Sequence, residues 1–97
     1  MKDSKIFNLI KDKIRQNQYD FKEHTIDEMA IEKFLIKDVL FAIITGEFIQ
    51  KYTHDETHFR YLIRGEIEDG RILDVVVFFS QNCLFIKTVF EYNYGNY

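Results

Sequence analysis

The sequence predicts an α+β fold: a mainly antiparallel sheet of four to five strands with helices packed on one face. Three observations predict it. Apolar residues recur every three to four positions through the first half, from Ile6 to Ile44. From His58 to Tyr92 the pattern changes to three β-rich runs, HFRYLIRGEI, ILDVVVFFS and CLFIKTVFEY. Asp69-Gly70 and Gln81-Asn82 separate those runs, and such residues tolerate the positive φ that tight hairpins require.

The elements follow in order. Ile6, Ile10 and Ile14 form one stripe of a helix from Asp3 to about Asn17, with Lys11, Asp12, Lys13 and Arg15 on the other face. Tyr19 and Phe21 alternate with Asp20 and Lys22 and suggest a short strand ending near His24. Thr25-Ile26-Asp27-Glu28 has the form of a capping box, so a helix is expected to start there and bury Ile26, Met29, Ala30 and Phe34. Another helix runs from about Lys37 to Thr45, with Gly46 placed to end it in a left-handed conformation. Phe48 to His54 is a strand leading into a three-strand meander. With no proline, repeat or linker, residues 1–97 make a single domain: an N-terminal helix over 1–18 and a core over 19–92.

If both turns hold two residues, register follows by counting. Ser80 then pairs with Cys83, Val76 faces Lys87, and Gly65 faces Asp74, which lies diagonally from Lys87. One face collects Tyr61, Ile63, Asp74, Val76, Phe78, Phe85, Lys87 and Val89. The other collects Leu62, Val75, Val77, Phe79, Ile86 and Phe90, with Arg60 and Arg64 at its end or edge. A bulge at Gly65 would swap the faces of its strand and bring the arginines beside Lys87.

Composition narrows the function classes. The 46% apolar fraction and ten phenylalanines suffice for a core without metal or disulfide, and the single cysteine, Cys83, fits a reducing compartment. No apolar run reaches the ~20 residues a bilayer demands, and Lys11, Asp12, Lys13 and Arg15 interrupt any signal-like segment, so a cytoplasmic location is expected. The net charge of −3 is uneven. Residues 1–22 hold six Lys/Arg against three Asp, residues 23–50 two Lys against six acids, and the remainder five Lys/Arg against seven acids. That balance argues against holding nucleic acid by charge alone.

Several residues are candidates for chemistry. Lys87 stands among Leu84, Phe85, Ile86, Val89 and Phe90, where a cation needs a partner, water or an anionic ligand. With Asp74 it reads either as a catalytic or phosphate-contacting pair, or as a cross-strand ion pair on a half-solvated face. His24, between a strand and a helix, is a general acid or base by its ordinary pKa, or a structural histidine bonded to a carbonyl. Arg60, Arg64 and Arg71, with Tyr52 and Tyr61, form a mixture suited to phosphate contact and base stacking, or else a solvated edge. His54 and His58 flank a hairpin loop, but a dedicated metal site needs more ligands, so neither metal nor cofactor is assigned.

The order and spacing of several short motifs carry a resemblance after residue 18. They are Tyr19-Asp20-Phe21-Lys22-Glu23-His24, Glu32-Lys33, Ile36-Lys37-Asp38-Val39 with Ala42-Ile43 and Gly46, Tyr52, Asp69-Gly70-Arg71, Val75-Val76-Val77 and Lys87-Thr88-Val89-Phe90. Together they resemble a family of small bacterial domains of unknown function that is similar to RelE- and MqsR-type ribonuclease toxins. Such domains often sit beside a zinc-finger antitoxin of the MqsA/YgiT type. The resemblance implies a toxin-like, metal-independent endoribonuclease with an antitoxin partner and RNA or the ribosome as its target. Combined with the residue chemistry above, it leads to an expected assignment of His24, Arg64, Asp74 and Lys87 to catalysis and of Lys33, Arg60, Tyr61 and Arg71 to the RNA. The chain departs from the family pattern at three positions: Lys33 where arginine is usual, Asp74 where histidine is frequent, and Phe90 where tyrosine is common. The last two departures, with the negative net charge, support a rival expectation, a degenerate toxin relative or non-catalytic module pairing through an exposed strand with a partner or a copy of itself.

Overall fold

The computed structural model describes residues 2–55 and 58–93. The chain runs α1 (Lys2–Arg15), β1 (Tyr19–Phe21), α2 (Glu23–Glu32), α3 (Ile36–Thr45), β2 (Glu47–Asp55), β3 (His58–Glu66), β4 (Ile72–Ser80) and β5 (Cys83–Glu91). The five strands form one mixed sheet in the order β1-β5-β4-β3-β2, antiparallel except where β1 lies parallel to β5. The expected α+β class and mostly antiparallel sheet are therefore present.

All three helices cover one face. Ile10 and Ile14 of α1, Met29 of α2, and Val39, Ala42 and Ile43 of α3 pack with Ile63, Leu73, Val75, Val77, Leu84, Ile86 and Val89 of the sheet. A row of rings, Phe7, Phe48, Tyr61 and Phe79, extends this core, with successive centroids 5.9–6.2 Å apart. Among the described residues, no helix is long and apolar enough to cross a membrane.

Two registers differ from simple counting. At Gln81-Asn82 the expected two-residue turn forms, with φ of 50° and 66°, and Ser80 pairs with Cys83. The β3–β4 loop, however, holds three residues. The Gly70 N–H donates to the Ile67 carbonyl, Ile67 pairs with Arg71, and Gly70 supplies the positive φ of 92°. One extra loop residue moves Arg64, not Gly65, opposite Asp74 and turns the side chains of β3 over. The second difference is a bulge in β5. Val77 pairs with Ile86 but Val76 pairs with Thr88, leaving Lys87 as the extra residue. Beyond it the parity of β5 reverses, so Val89 packs under the helices and Phe90, 40% exposed, opposes Asp74.

Thr25 holds that bulge. Its hydroxyl donates to the Lys87 carbonyl, and the residue is wholly buried. The capping-box expectation is corrected accordingly: α2 begins two residues earlier, at Glu23, and Thr25 bonds across to the sheet. Replacing Thr25 by valine keeps the shape but strands a buried carbonyl, an expected loss of about 1–3 kcal/mol. Urea unfolding should show that loss in Thr25→Val and a smaller one in Thr25→Ser, which retains the hydroxyl. Gly46 also differs from expectation. Its φ is −83°, so it is required for space, since a Cβ there would meet the carbonyls of Arg64 and Ala42.

Candidate functional site

Opposite the helices, the sheet presents a second face made by alternate residues of each strand. β2 contributes Glu47, Gln50 and Tyr52, paired respectively with Arg64, Leu62 and Arg60 of β3. β4 adds Asp74, Val76 and Phe78, and β5 adds Phe85, Thr88 and Phe90. Asp74 and Val76 are 2% and 6% exposed although they lie outside the core cluster, because neighbouring side chains cover the central strand.

Arg64 and Asp74 form the centre of this face. The guanidinium donates to both carboxylate oxygens, Nε to Oδ1 at 2.6 Å and Nη2 to Oδ2 at 3.0 Å. This fork fixes the planar cation in one orientation, and its other side lies 3.7 Å from the centroid of Tyr92. Tyr92 is itself placed by its backbone N–H, which donates to the Ile72 carbonyl at 2.7 Å. Leu62, Arg64, Asp74, Phe90 and Tyr92 line a groove of about 410 Å³. The Arg64 side chain remains 25% exposed, so a rigidly held cation stands at the groove wall.

The other residues expected to act on RNA are dispersed. Asp74 bonds Arg64, not Lys87, since the three-residue loop brings Arg64 across from it while the bulge sets Lys87 farther along β5. Lys87 is half-buried, with its carbonyl taken by Thr25. His24 is exposed in the first turn of α2, and its ring makes no hydrogen bond or ion pair among the described residues. Tyr61 lies under the helices, 8% exposed, between Phe48 and Phe79, and burial pushes its phenol pKa up. The longer loop is the physical reason that it leaves the open face.

Arg71 and Lys33 meet in a structural clamp. Lys33 ends α2 in the left-handed region at φ 61°, and the Phe34 N–H closes back on the Met29 carbonyl. Arg71 donates through Nη1 and Nη2 to the carbonyls of Glu32 and Lys33, through Nε to Asp69, and lies 4.6 Å from the Phe34 ring centroid. It therefore caps the carbonyl end of α2 and ties the β3–β4 loop to it. The hydrogen bond from the Arg71 N–H, with help from the guanidinium, holds the Asp69 carboxyl below its ordinary pKa. Lys13 likewise bonds Gln18 and Asn82, joining α1 to the β4–β5 turn.

Counting residues missed Lys22, Phe78 and Phe85. Phe78 and Phe85 stack at 5.5 Å and 18° on the open face, with the Lys22 Nζ 4.9 Å from one ring and 5.6 Å from the other. The signal was available, because pairing Ser80 with Cys83 already places Phe78 opposite Phe85. Tyr52 and Arg60 are cross-strand neighbours on this face. Burial raises the Tyr52 phenol pKa, and the charge of Arg60 pulls it the other way. No group of three or more His, Cys, Asp or Glu is placed to hold a metal among the described residues. The loop reading of His54 and His58 lies outside the described side chains.

A family model for a domain of unknown function, DUF4258, matches residues 21–91, from the end of β1 to the end of β5. The chain belongs to the DUF4258 family. No curated protein and no solved structure matches it. The DUF4258 span holds α2, α3 and all of β2–β5, hence Arg60, Arg64, Asp74, Phe78, Phe85 and Lys22, whereas α1 lies before it.

Proposed function

We propose that this protein acts on RNA at its open sheet face, as the toxin-like member of a bacterial toxin–antitoxin pair. The observation that carries this reading is the Arg64 guanidinium, fixed by a buried carboxylate and an aromatic ring at the wall of an open groove. A cation held that way meets a phosphate without reorganising, which is the condition for stabilising charge as it develops. The chemistry, taken from the resemblance to RelE- and MqsR-type toxins, is attack of a ribose 2′-OH on the adjacent phosphate without a metal. Arg64 stabilises the phosphorane and Asp74 orients Arg64. The resemblance assigns proton transfer to His24 and a further phosphate contact to Lys87, which would have to reach the phosphate from α2 and β5, outside the residues lining the groove.

One observation favours a second reading, an RNA- or protein-binding module that does not cut. Nothing among the described residues orients the His24 ring, and a general base works best when a third group fixes it. Purified protein incubated with free and ribosome-bound RNA separates the two. Cleavage leaving 2′,3′-cyclic phosphate ends, with growth arrest that Arg64→Met or a His24→Ala/Lys87→Ala pair relieves, is expected of the nuclease. RNA bound but intact supports the module, and RNA neither bound nor cut, with normal growth on induction, overturns the nuclease and the RNA-binding form of the module.

A further inference from the structure

A second row of the open face lies one end away from Arg64. Tyr52 of β2 pairs with Arg60 of β3, and Phe78 of β4 pairs with Phe85 of β5. The last β3–β4 pair is Tyr61 with Val77, so Arg60 and Phe78 are the next residues outward and share a row and a face. Lys22, directly after β1, lies over the two phenyl rings. Tyr52, Arg60, Phe78 and Phe85 therefore form one line across β2–β5 at right angles to the strands, over roughly 14 Å at the usual strand spacing, with Asp20 the β1 residue beside Phe85 and Lys22 reaching over the rings from two positions further on.

One atom in this row is out of balance. The Nε of Arg60 is shut off from solvent and has no hydrogen-bond partner. A buried donor on a charged group is rarely left so, which marks Arg60 as the unsettled side chain of the row. Tyr52, its cross-strand neighbour, offers a phenol hydroxyl. Across the sheet, the stacked pair Phe78 and Phe85 stands half-buried under an exposed ammonium. Oxygen-seeking donors at one end and π-faces with a cation at the other suit unpaired bases joined by phosphates. A duplex hides its base faces, and a sheet surface does not enter its grooves in this way.

We propose that the row Tyr52–Arg60–Phe78–Phe85–Lys22 is a track for single-stranded RNA, distinct from the Arg64–Asp74 centre. The inference rests on the RNA reading above and names the form of substrate. Arg60, only half-buried as a residue, offers its guanidinium to a phosphate or base oxygen, a base packs against the phenylalanine pair, and Lys22 neutralises a phosphate. Between this track and Arg64 lies the uncharged row Gln50, Leu62, Val76 and Thr88, so one RNA strand can span both, roughly 13 Å apart along β3.

The test is fluorescence anisotropy with a labelled single-stranded RNA of about eight nucleotides, the same sequence as DNA, and the RNA duplex. The wild-type protein should prefer the single strands. Phe85→Leu and Arg60→Met should each weaken single-strand binding about tenfold and leave the weak duplex binding unchanged. Lys22→Gln, at an exposed position that spares the fold, should reduce the steepness of the salt dependence by about 0.7. Single-strand binding that is unchanged in Lys22→Gln and in folded Phe85→Leu overturns the track, as does a preference for duplex. Either result leaves cleavage and growth arrest by the wild type as the separate measure of the proposed function. Binding that depends on the row, in a protein that neither cuts RNA nor arrests growth, overturns the nuclease and supports the track. Equal affinity for RNA and DNA assigns the track to bases and phosphates; tighter RNA binding adds the 2′-OH, and both support it.

Discussion

Arg64→Met is expected to destabilise the protein by about 3 kcal/mol, the low end of the cost of breaking a buried pair. Asp74 is 2% exposed on a central strand, and its two oxygens are served by Nε and Nη2 of Arg64. Removing the guanidinium leaves that carboxylate in the sheet with neither its countercharge nor those donors. The partial exposure of Arg64 lets some water reach the site, which is why the low end applies. In a domain of this length the loss corresponds to a fall in Tm on the order of 15 °C. The double variant Arg64→Met/Asp74→Leu should recover most of it, because an apolar pair of similar volume replaces the ion pair at little net cost. Thermal and urea unfolding of the two variants check this, and a double variant as unstable as the single one would show that the cost lies in lost packing on Tyr92 and not in the orphaned charge. The pair is thus better understood as fixing the direction of a cation than as a source of stability. Both variants should lose the RNA phenotype, whereas only the single one should lose stability.

Much of the architecture was legible where the signal is local. The stripe of Ile6, Ile10 and Ile14 marks α1, and Gln81-Asn82 marks its turn because few residues other than glycine accept two successive positive φ values. Asp69-Gly70 was ambiguous for the same reason. A glycine at positive φ serves a two-residue or a three-residue loop, and only the closing contacts choose. That single residue decides whether Arg64 or Gly65 meets Asp74. The bulge at Lys87 was invisible in β5 because its freed carbonyl is answered by Thr25, more than sixty residues earlier in the chain. Nonlocal compensation of this kind leaves no periodicity to read. The candidate site shows the same division. Arg64 and Asp74 were recognisable as functional types, but their partnership followed from a loop length, and Lys33 and Arg71, chosen for charge, are bound up in the cap of α2.

Gly65→Ala is expected to cost about 2 kcal/mol net, and the reason reaches the site itself. A methyl group at Gly65 would run into the carbonyl oxygen, carbonyl carbon and Cα of Ala42, so α3 rests directly on the backbone of β3. The alanine restricts the unfolded chain and returns about 0.5–1 kcal/mol. Forcing two backbones apart in a packed core costs about 3 kcal/mol, and the clash wins. The obstructing atoms are main chain, so Ala42→Gly should not rescue the variant, although trimming a side chain would relieve an ordinary overpacked contact. Denaturation of the single and double variants tests this, and recovery in Gly65→Ala/Ala42→Gly would refute it. Arg64 precedes Gly65, and its carbonyl lies where a Cβ on Gly46 would stand. Two glycines therefore let α3 press against the strand that carries the guanidinium on its far side. Moving β3 away from α3 would carry Arg64 with it and loosen the fork to Asp74. Gly65→Ala should accordingly weaken RNA binding at temperatures where the protein remains folded, even though the substitution lies on the helix-covered side of the sheet.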